Sequence, residues 1–218
     1  MHKGSEKTMI DPFKKINEEE KQNLLKKLEA SIYHFNKNES IFSTIKLNNT
    51  IGIVIEGHIQ NYKTDYNGNK IIIEDLTKNS VFGSDISFYI HGESDMITKE
   101  VTDIIILDYY TIINFNQNHD PIYNQFIINL LDIMKYIIIL KNERIRILTT
   151  KTIRNKLLEY FDILANKQGT KIIHIPFTYT DLADYLAVDR SAMMREIKNL
   201  KDEKIIEVKS KRINLMYK

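Results

Sequence analysis

The sequence predicts an α+β chain in three parts: an N-terminal antiparallel β-barrel, a long helix, and a C-terminal winged helix-turn-helix. Three observations carry this. Short runs rich in Ile, Val, Phe and Thr recur between polar turns from about Tyr33 to Leu107. Apolar residues at alternating spacings of three and four then extend from Asp120 to about Thr149. Two short helical patterns joined at Ala187-Val188, and a basic hairpin after them, close the chain. The expected domains are residues 1–119, 120–149 and 150–218.

Taken in order, Asn17 to Leu28 reads NEEEKQNLLKKL. Acidic residues lead and lysines follow, as the helix dipole favours, with Leu24, Leu25 and Leu28 on one face. Strands are expected at Ile51–Ile55, Ile59–Lys63, Lys70–Asp75 and Thr102–Leu107. Asn67-Gly68 is a strong hairpin signal between two of them, and Glu56-Gly57 separates another pair. Along the long helix, Phe126, Leu130, Ile133, Ile137 and Leu140 form one apolar stripe. Ile127, Leu131, Met134 and Ile138 form another beside it. A helix with two apolar stripes can cover its own barrel with one and a partner helix with the other. The first stripe is the expected dimer interface. Beyond it, Thr152 to Leu164 is a further helix, with a turn at Asn166–Thr170 and a strand at Lys171–Ile175.

Composition limits what such a chain can do. Its 218 residues suffice for two cores, and 43% hydrophobic residues with only 7 Gly and 3 Pro describe a folded protein with short connections. Cysteine is absent, which excludes disulfides, thiolate metal sites and Cys-ligated iron–sulfur clusters. No metal site is expected. The N-terminus has no signal-peptide core, so a cytoplasmic location is expected. Phe126 to Leu140, interrupted by Asn129, Asp132 and Lys135, reads as too short and too polar to span a bilayer. Residues 141–218 hold 17 Lys and Arg against 10 Asp and Glu, while the remainder holds 14 against 19. That asymmetry points the C-terminal part toward a polyanion.

The informative segment is Phe177 to Tyr217. Thr180 or Thr178 can cap a helix over TDLADYLA whose buried side is Leu182, Ala183 and Leu186. Asp189 can cap a second helix that turns Ala192, Met193, Ile197 and Leu200 inward. Its outward N-terminal face carries Arg190, Ser191, Met194 and Arg195. Base edges in the DNA major groove are read from that end of a recognition helix, and the arginine fork matches O6 and N7 of guanine. Thr178 and Tyr179 are placed for phosphates. Ile205–Val208 and Arg212–Met216 form the wing, with Lys209, Lys211 and Arg212 on the backbone.

These residues carry a resemblance. LADYLAVDRSAMMREIKNLKDEKII resembles the helix-turn-helix of the CRP/FNR superfamily of bacterial transcription regulators. IVIEGHI, the Asn67-Gly68 turn and SVFGSDISF resemble that family's cyclic-nucleotide-binding-type β-barrel, and Asp120 to Thr149 is similar to its dimerisation helix. The resemblance implies a homodimer that places two recognition helices on an inverted repeat of double-stranded DNA, with RNA polymerase as a further partner. It implies a signal in the barrel that re-aims the DNA-binding domains about a hinge near Leu148 to Lys151. The family's base-reading positions fall on Arg190, Ser191 and Arg195, where Ser191 replaces the usual glutamate.

The resemblance also places a ligand pocket, and there the residues depart from the cyclic-nucleotide pattern. Ser84 follows Phe82-Gly83 where a glutamate would hold ribose, and Ser94-Asp95 stand where arginine and serine would take the phosphate. Ile139 and Leu140 replace hydroxyl-bearing positions of the long helix. With His91 in the flanking loop, these are the pocket candidates, and cAMP is not expected to bind tightly. Haem stays open by residue type through His34, His58, His91, His119 and His174. No P-loop, nucleophile elbow or zinc-protease motif is present, so no catalytic residues are expected. An enzyme, or a binding module without DNA affinity, is the rival reading.

Overall fold

A computed structural model describes residues 10–45, 49–64, 70–83, 86–87, 94–115 and 120–217. The chain divides into two compact units, one ending at Lys135 and the other starting at Tyr136.

In the first unit, α1 (Glu18–Lys27) begins with a complete capping box. The Asn17 side chain accepts from Glu20 N–H, and Glu20 reaches back to the Asn17 N–H. The strands are β1 (Ser31–Phe35), β2 (Thr50–Glu56), β3 (His58–Thr64), β4 (Lys70–Thr77), β5 (Val81–Gly83), β6 (Ser94–Thr98) and β7 (Thr102–Asp108). They form two antiparallel sheets, ordered β1-β7-β2-β5 and β4-β3-β6. The predicted barrel is therefore two sheets around a shared core, with Phe35, Val54, Phe82 and Ile104 from one and Ile59 and Met96 from the other. A Cβ at Gly52 would lie 2.2 Å from the Phe82 ring, so the bare glycine admits that aromatic. Gly57, at φ +102°, makes the β2–β3 turn expected at Glu56-Gly57. The register of β3 on β4 runs to Thr64 opposite Lys70, while the Asn67-Gly68 turn between them lies outside the described residues.

After α2 (Tyr109–Ile113) comes α3 (Pro121–Leu148). Asp120 accepts from the N–H groups of Ile122 and Tyr123 and pairs with Lys27 at 2.8 Å; Pro121 occupies the first helical position, where no N–H is needed. Its 28 residues and a mean hydropathy of 1.3 in the most apolar window meet the length and composition of a bilayer-crossing helix, which corrects the sequence reading on that point. Its N-terminal half is spent on the protein's own core. Phe126, Leu130 and Ile133 are buried, and Phe13 stacks on Phe126 at 5.5 Å. Buried Asn129 donates to the carbonyls of Pro12 and Lys14 and accepts from Gln125, so its amide is satisfied.

The second unit contains the end of α3, α4 (Ile153–Gln168), β8 (Ile172–His174), α5 (Tyr179–Leu186), α6 (Arg190–Asp202), β9 (Ile206–Lys209) and β10 (Arg212–Leu215), with sheet order β8-β10-β9. Gly169, at φ +64°, ends α4 in the left-handed conformation. Ile147 of α3 joins Leu157, Phe161, Leu182, Met193 and Leu200 in one core. The last turns of α3 are further tied by Arg146 to Glu159, by Glu143 to Lys167, and by the Arg144 guanidinium 5.0 Å from the centre of the Tyr185 ring.

Candidate nucleic-acid interface

The helix-turn-helix is built by two caps and one strained residue. Thr178 accepts from Asp181 N–H at 3.1 Å, and Asp181 returns a bond to the Thr178 N–H; Thr178, not Thr180, is therefore the cap. Ala187 takes φ +50° and lets the Val188 N–H close on the Ala183 carbonyl at 3.0 Å. Left-handed backbone is unfavourable for alanine, by roughly 1–2 kcal/mol, so the sharp turn is held by the packing around it. Asp189 then caps α6 by accepting from Ala192 N–H at 2.7 Å. Leu182, Ala183 and Leu186 of α5, and Met193, Ile197 and Leu200 of α6, are the buried faces; Ala192 is only half-buried.

That burial fixes what α6 presents outward. Arg190, Ser191 and Arg195 are exposed on its N-terminal part. Met194 is half-buried against the core, so its packing role is realised and only part of its side chain is left for a base. Lys209, Lys211 and Arg212 are exposed at the wing. Tyr179 departs from its expected role. Its hydroxyl donates to the Ser210 carbonyl at 2.9 Å, and partial burial pushes the phenol above its ordinary range, so its proton bonds the wing turn and is not offered to a phosphate. Sequence reasoning missed this brace because it joins residues far apart in the chain. The Thr178 hydroxyl, which accepts in the cap, keeps its proton for an external acceptor.

Charge is sorted across this unit. Arg154 pairs with both Glu196, at 3.3 Å, and Glu203, so the acid that adjoins Arg195 on α6 is already matched. Among the described residues, Arg190, Arg195, Lys209, Lys211 and Arg212 take part in no ion pair.

The residues expected at the other two sites fare differently. Phe126, Leu130 and Ile133 are buried in their own unit and cannot meet a partner, which corrects the predicted dimer interface; Ile137 and Leu140 are half-buried. The exposed apolar residues of α3 are Ile128, Leu131, Met134, Ile138 and Ile145, so the neighbouring stripe is the open one. Of the pocket candidates, Ser84 and His91 lie outside the described residues. Gly83 is packed against the Thr50 carbonyl, where a Cβ would come to 2.3 Å. Ser94 begins β6, and Asp95 accepts from the Ser40 hydroxyl at 2.5 Å. Ile139 and Leu140 belong to the second unit. His34 and His58 each bond a carboxylate at 2.6 Å, Asp103 and Asp75 respectively, and His174 is exposed. Among these described histidines none offers a buried, free imidazole to a haem iron; His119, like His91, lies outside the described residues.

Residues 155–216 match the Crp-like helix-turn-helix domain family. The chain is 25% identical over 194 residues to the ycf28 protein of Porphyra purpurea, named as an HTH-type transcriptional regulator, covering 85% of this chain and 78% of that one. Its fold is similar to a CprK variant solved in complex with OCPA, with TM-score 0.65, 16% identity and 88% of each chain covered. It is also similar to a CooA mutant from Carboxydothermus hydrogenoformans, with TM-score 0.62, 17% identity, and 88% of this chain and 85% of that one covered.

Proposed function

We propose that this chain, a transcription regulator of the CRP/FNR family, binds duplex DNA sequence-specifically as a homodimer on an inverted repeat. The observation that carries the proposal is the unmatched set Arg190, Arg195, Lys209, Lys211 and Arg212 on one recognition helix and one wing. Unpaired cations exposed together bind phosphates by releasing counterions, and a bidentate arginine at the helix start discriminates guanine. Arg195→Ala is expected to cost ~1–3 kcal/mol on the specific site and to relax discrimination there, read by gel shift against genomic fragments. Equal affinity of the variant and the parent would remove the recognition-helix assignment.

The dimer forms along α3 through the exposed stripe of Leu131, Met134, Ile138 and Ile145. Leu131, Ile138 and Ile145 recur at heptad spacing, with Met134 between them, which is the pattern of a two-helix seam. RNA polymerase is the partner that family membership implies for the DNA-bound dimer. A signal held by the first unit acts by binding one arrangement of the dimer better than another. Cyclic AMP is not the signal: Asp95 presents a carboxylate, already bonded by Ser40, where a cyclic phosphate requires a cation. Calorimetric titration is expected to show no tight cAMP binding, and micromolar affinity would contradict this part of the proposal.

A further inference from the structure

The wing sheet places a histidine beside two of the cations assigned to DNA. Arg212 of β10 pairs with His174 of β8 on one side and with Lys209 of β9 on the other. Paired residues on adjacent antiparallel strands point to the same face, so the three form one rung across the sheet. All three are exposed, while Ile173, Ile213 and Ile206 of the same strands are buried in the core. The Ile175 N–H bonds the Lys211 carbonyl at 2.9 Å, which makes His174 and Arg212 a non-hydrogen-bonded pair, the kind whose side chains stand closest. The free edge of β8 is fixed at this residue. The Gln168 amide accepts from the His174 N–H and donates to the His174 carbonyl, both at 2.9 Å.

Like charges set opposite each other destabilise a sheet. Among the described residues no carboxylate pairs with this rung. On the same face, the next rung away from the tip holds Ile172, Asn214 and Glu207, and Asn214 donates to Glu207 at 3.3 Å. From α4 the rung meets the neutral amide of Gln168. The charged groups that face His174 are therefore Arg212 and Lys209, both cationic, with Glu207 one rung away and engaged. Such a row is stabilised by an external anion that lies across it.

We propose that His174 is a further phosphate contact of the wing, acting in one row with Arg212 and Lys209 across β8, β10 and β9. The inference rests on the DNA-binding reading and adds to it a proton taken up on binding. Histidine is the side chain that ordinarily changes charge between pH 5 and 8. A phosphate beside the ring favours the imidazolium, so DNA affinity rises as pH falls through that range.

The test measures binding of the full chain to a labelled duplex over a series of salt concentrations, at pH 6 and pH 8. The parent is compared with His174→Gln and His174→Lys. For the parent, the slope of log K against log salt is expected to be steeper at pH 6 than at pH 8 by about 0.9 per protomer, the value of one phosphate contact. The glutamine variant should keep the shallow slope at both pH values, and the lysine variant the steep one. The other histidines are the same in all three proteins, so the comparison isolates position 174. A parent slope that does not change with pH, or a glutamine variant that keeps the parent's change, overturns the inference while leaving DNA binding intact. Absence of duplex binding by the parent at any salt would instead overturn the reading on which it rests.

Discussion

Arg195 and Glu196 are adjacent on α6 and have opposite charges, yet they do not cancel, because Arg154 of α4 holds Glu196 and Glu203. The basic tip was legible from sequence, since Arg190 and Arg195 fall on the face left over when Met193, Ile197 and Leu200 turn inward. The neutralisation of the acids was not, because it depends on a side chain from another helix. Tyr179 teaches the same lesson: its position in the motif suggested a phosphate contact, and only the folded wing shows Ser210 taking its proton. In the first unit, the hydrogen bond that His58 donates to the Asp75 carboxylate is the largest cause that raises the pKa of His58, opposed by partial burial. A folded-state pKa above the unfolded value of about 6.5 gives stability that is complete below that pH. It is lost as pH rises through the raised value. Thermal melts of the full chain from pH 5.5 to 8.5 are expected to show this decline, and Asp75→Asn should flatten it. An unchanged pH dependence in the variant would exclude the pair as its source.

At the scale of elements, α3 was predicted with bounds within a residue of those observed, because a 3.6-residue period over so long a segment has few rival interpretations. Which stripe faces inward was not legible. Two adjacent apolar rows are equivalent until something packs on one of them. Phe13, the Pro12 and Lys14 carbonyls and the buried Asn129 choose the Phe126 row. The short strands β1, β5 and β6 were not individually foreseen, since three to five residues give too few alternations to separate from a loop. The open row gives a direct expectation. Leu131 is 59% exposed and Ile138 57% exposed, so Leu131→Asp with Ile138→Asp should leave each unit folded while converting a dimer to monomers. Sedimentation measures the mass and circular dichroism the fold; a double variant that stays dimeric would move the interface elsewhere. Phe126→Ala is the contrasting change, since truncating a buried phenylalanine costs about 3–5 kcal/mol of stability through the cavity it leaves.

For the whole molecule, the parts divide the work by charge and by surface. The first unit holds the acidic excess and a two-sheet core. The second holds the basic excess, a segment matching the Crp-like helix-turn-helix domain, and a wing whose Lys209, Lys211 and Arg212 take part in no ion pair among the described residues. In the proposed dimer the exposed apolar stripe of α3 doubles the recognition helix, so that one interface becomes two related by symmetry. The helix-turn-helix was legible because the C-terminal motif, which matches the Crp-like helix-turn-helix domain, is dense in specific residues. The signal was not, because Ser84, Ser94 and Asp95 do not follow the nucleotide-binding pattern that the resemblance implies. In the proposed complex a dimer reads an inverted repeat with two copies of α6. Footprinting of the full chain on genomic fragments at moderate salt tests it most directly. Two protected half-sites in inverted orientation are expected, centred about one helical turn of DNA apart, with both lost together in Arg195→Ala. A single protected half-site, or protection that survives unchanged in Arg195→Ala, would contradict it.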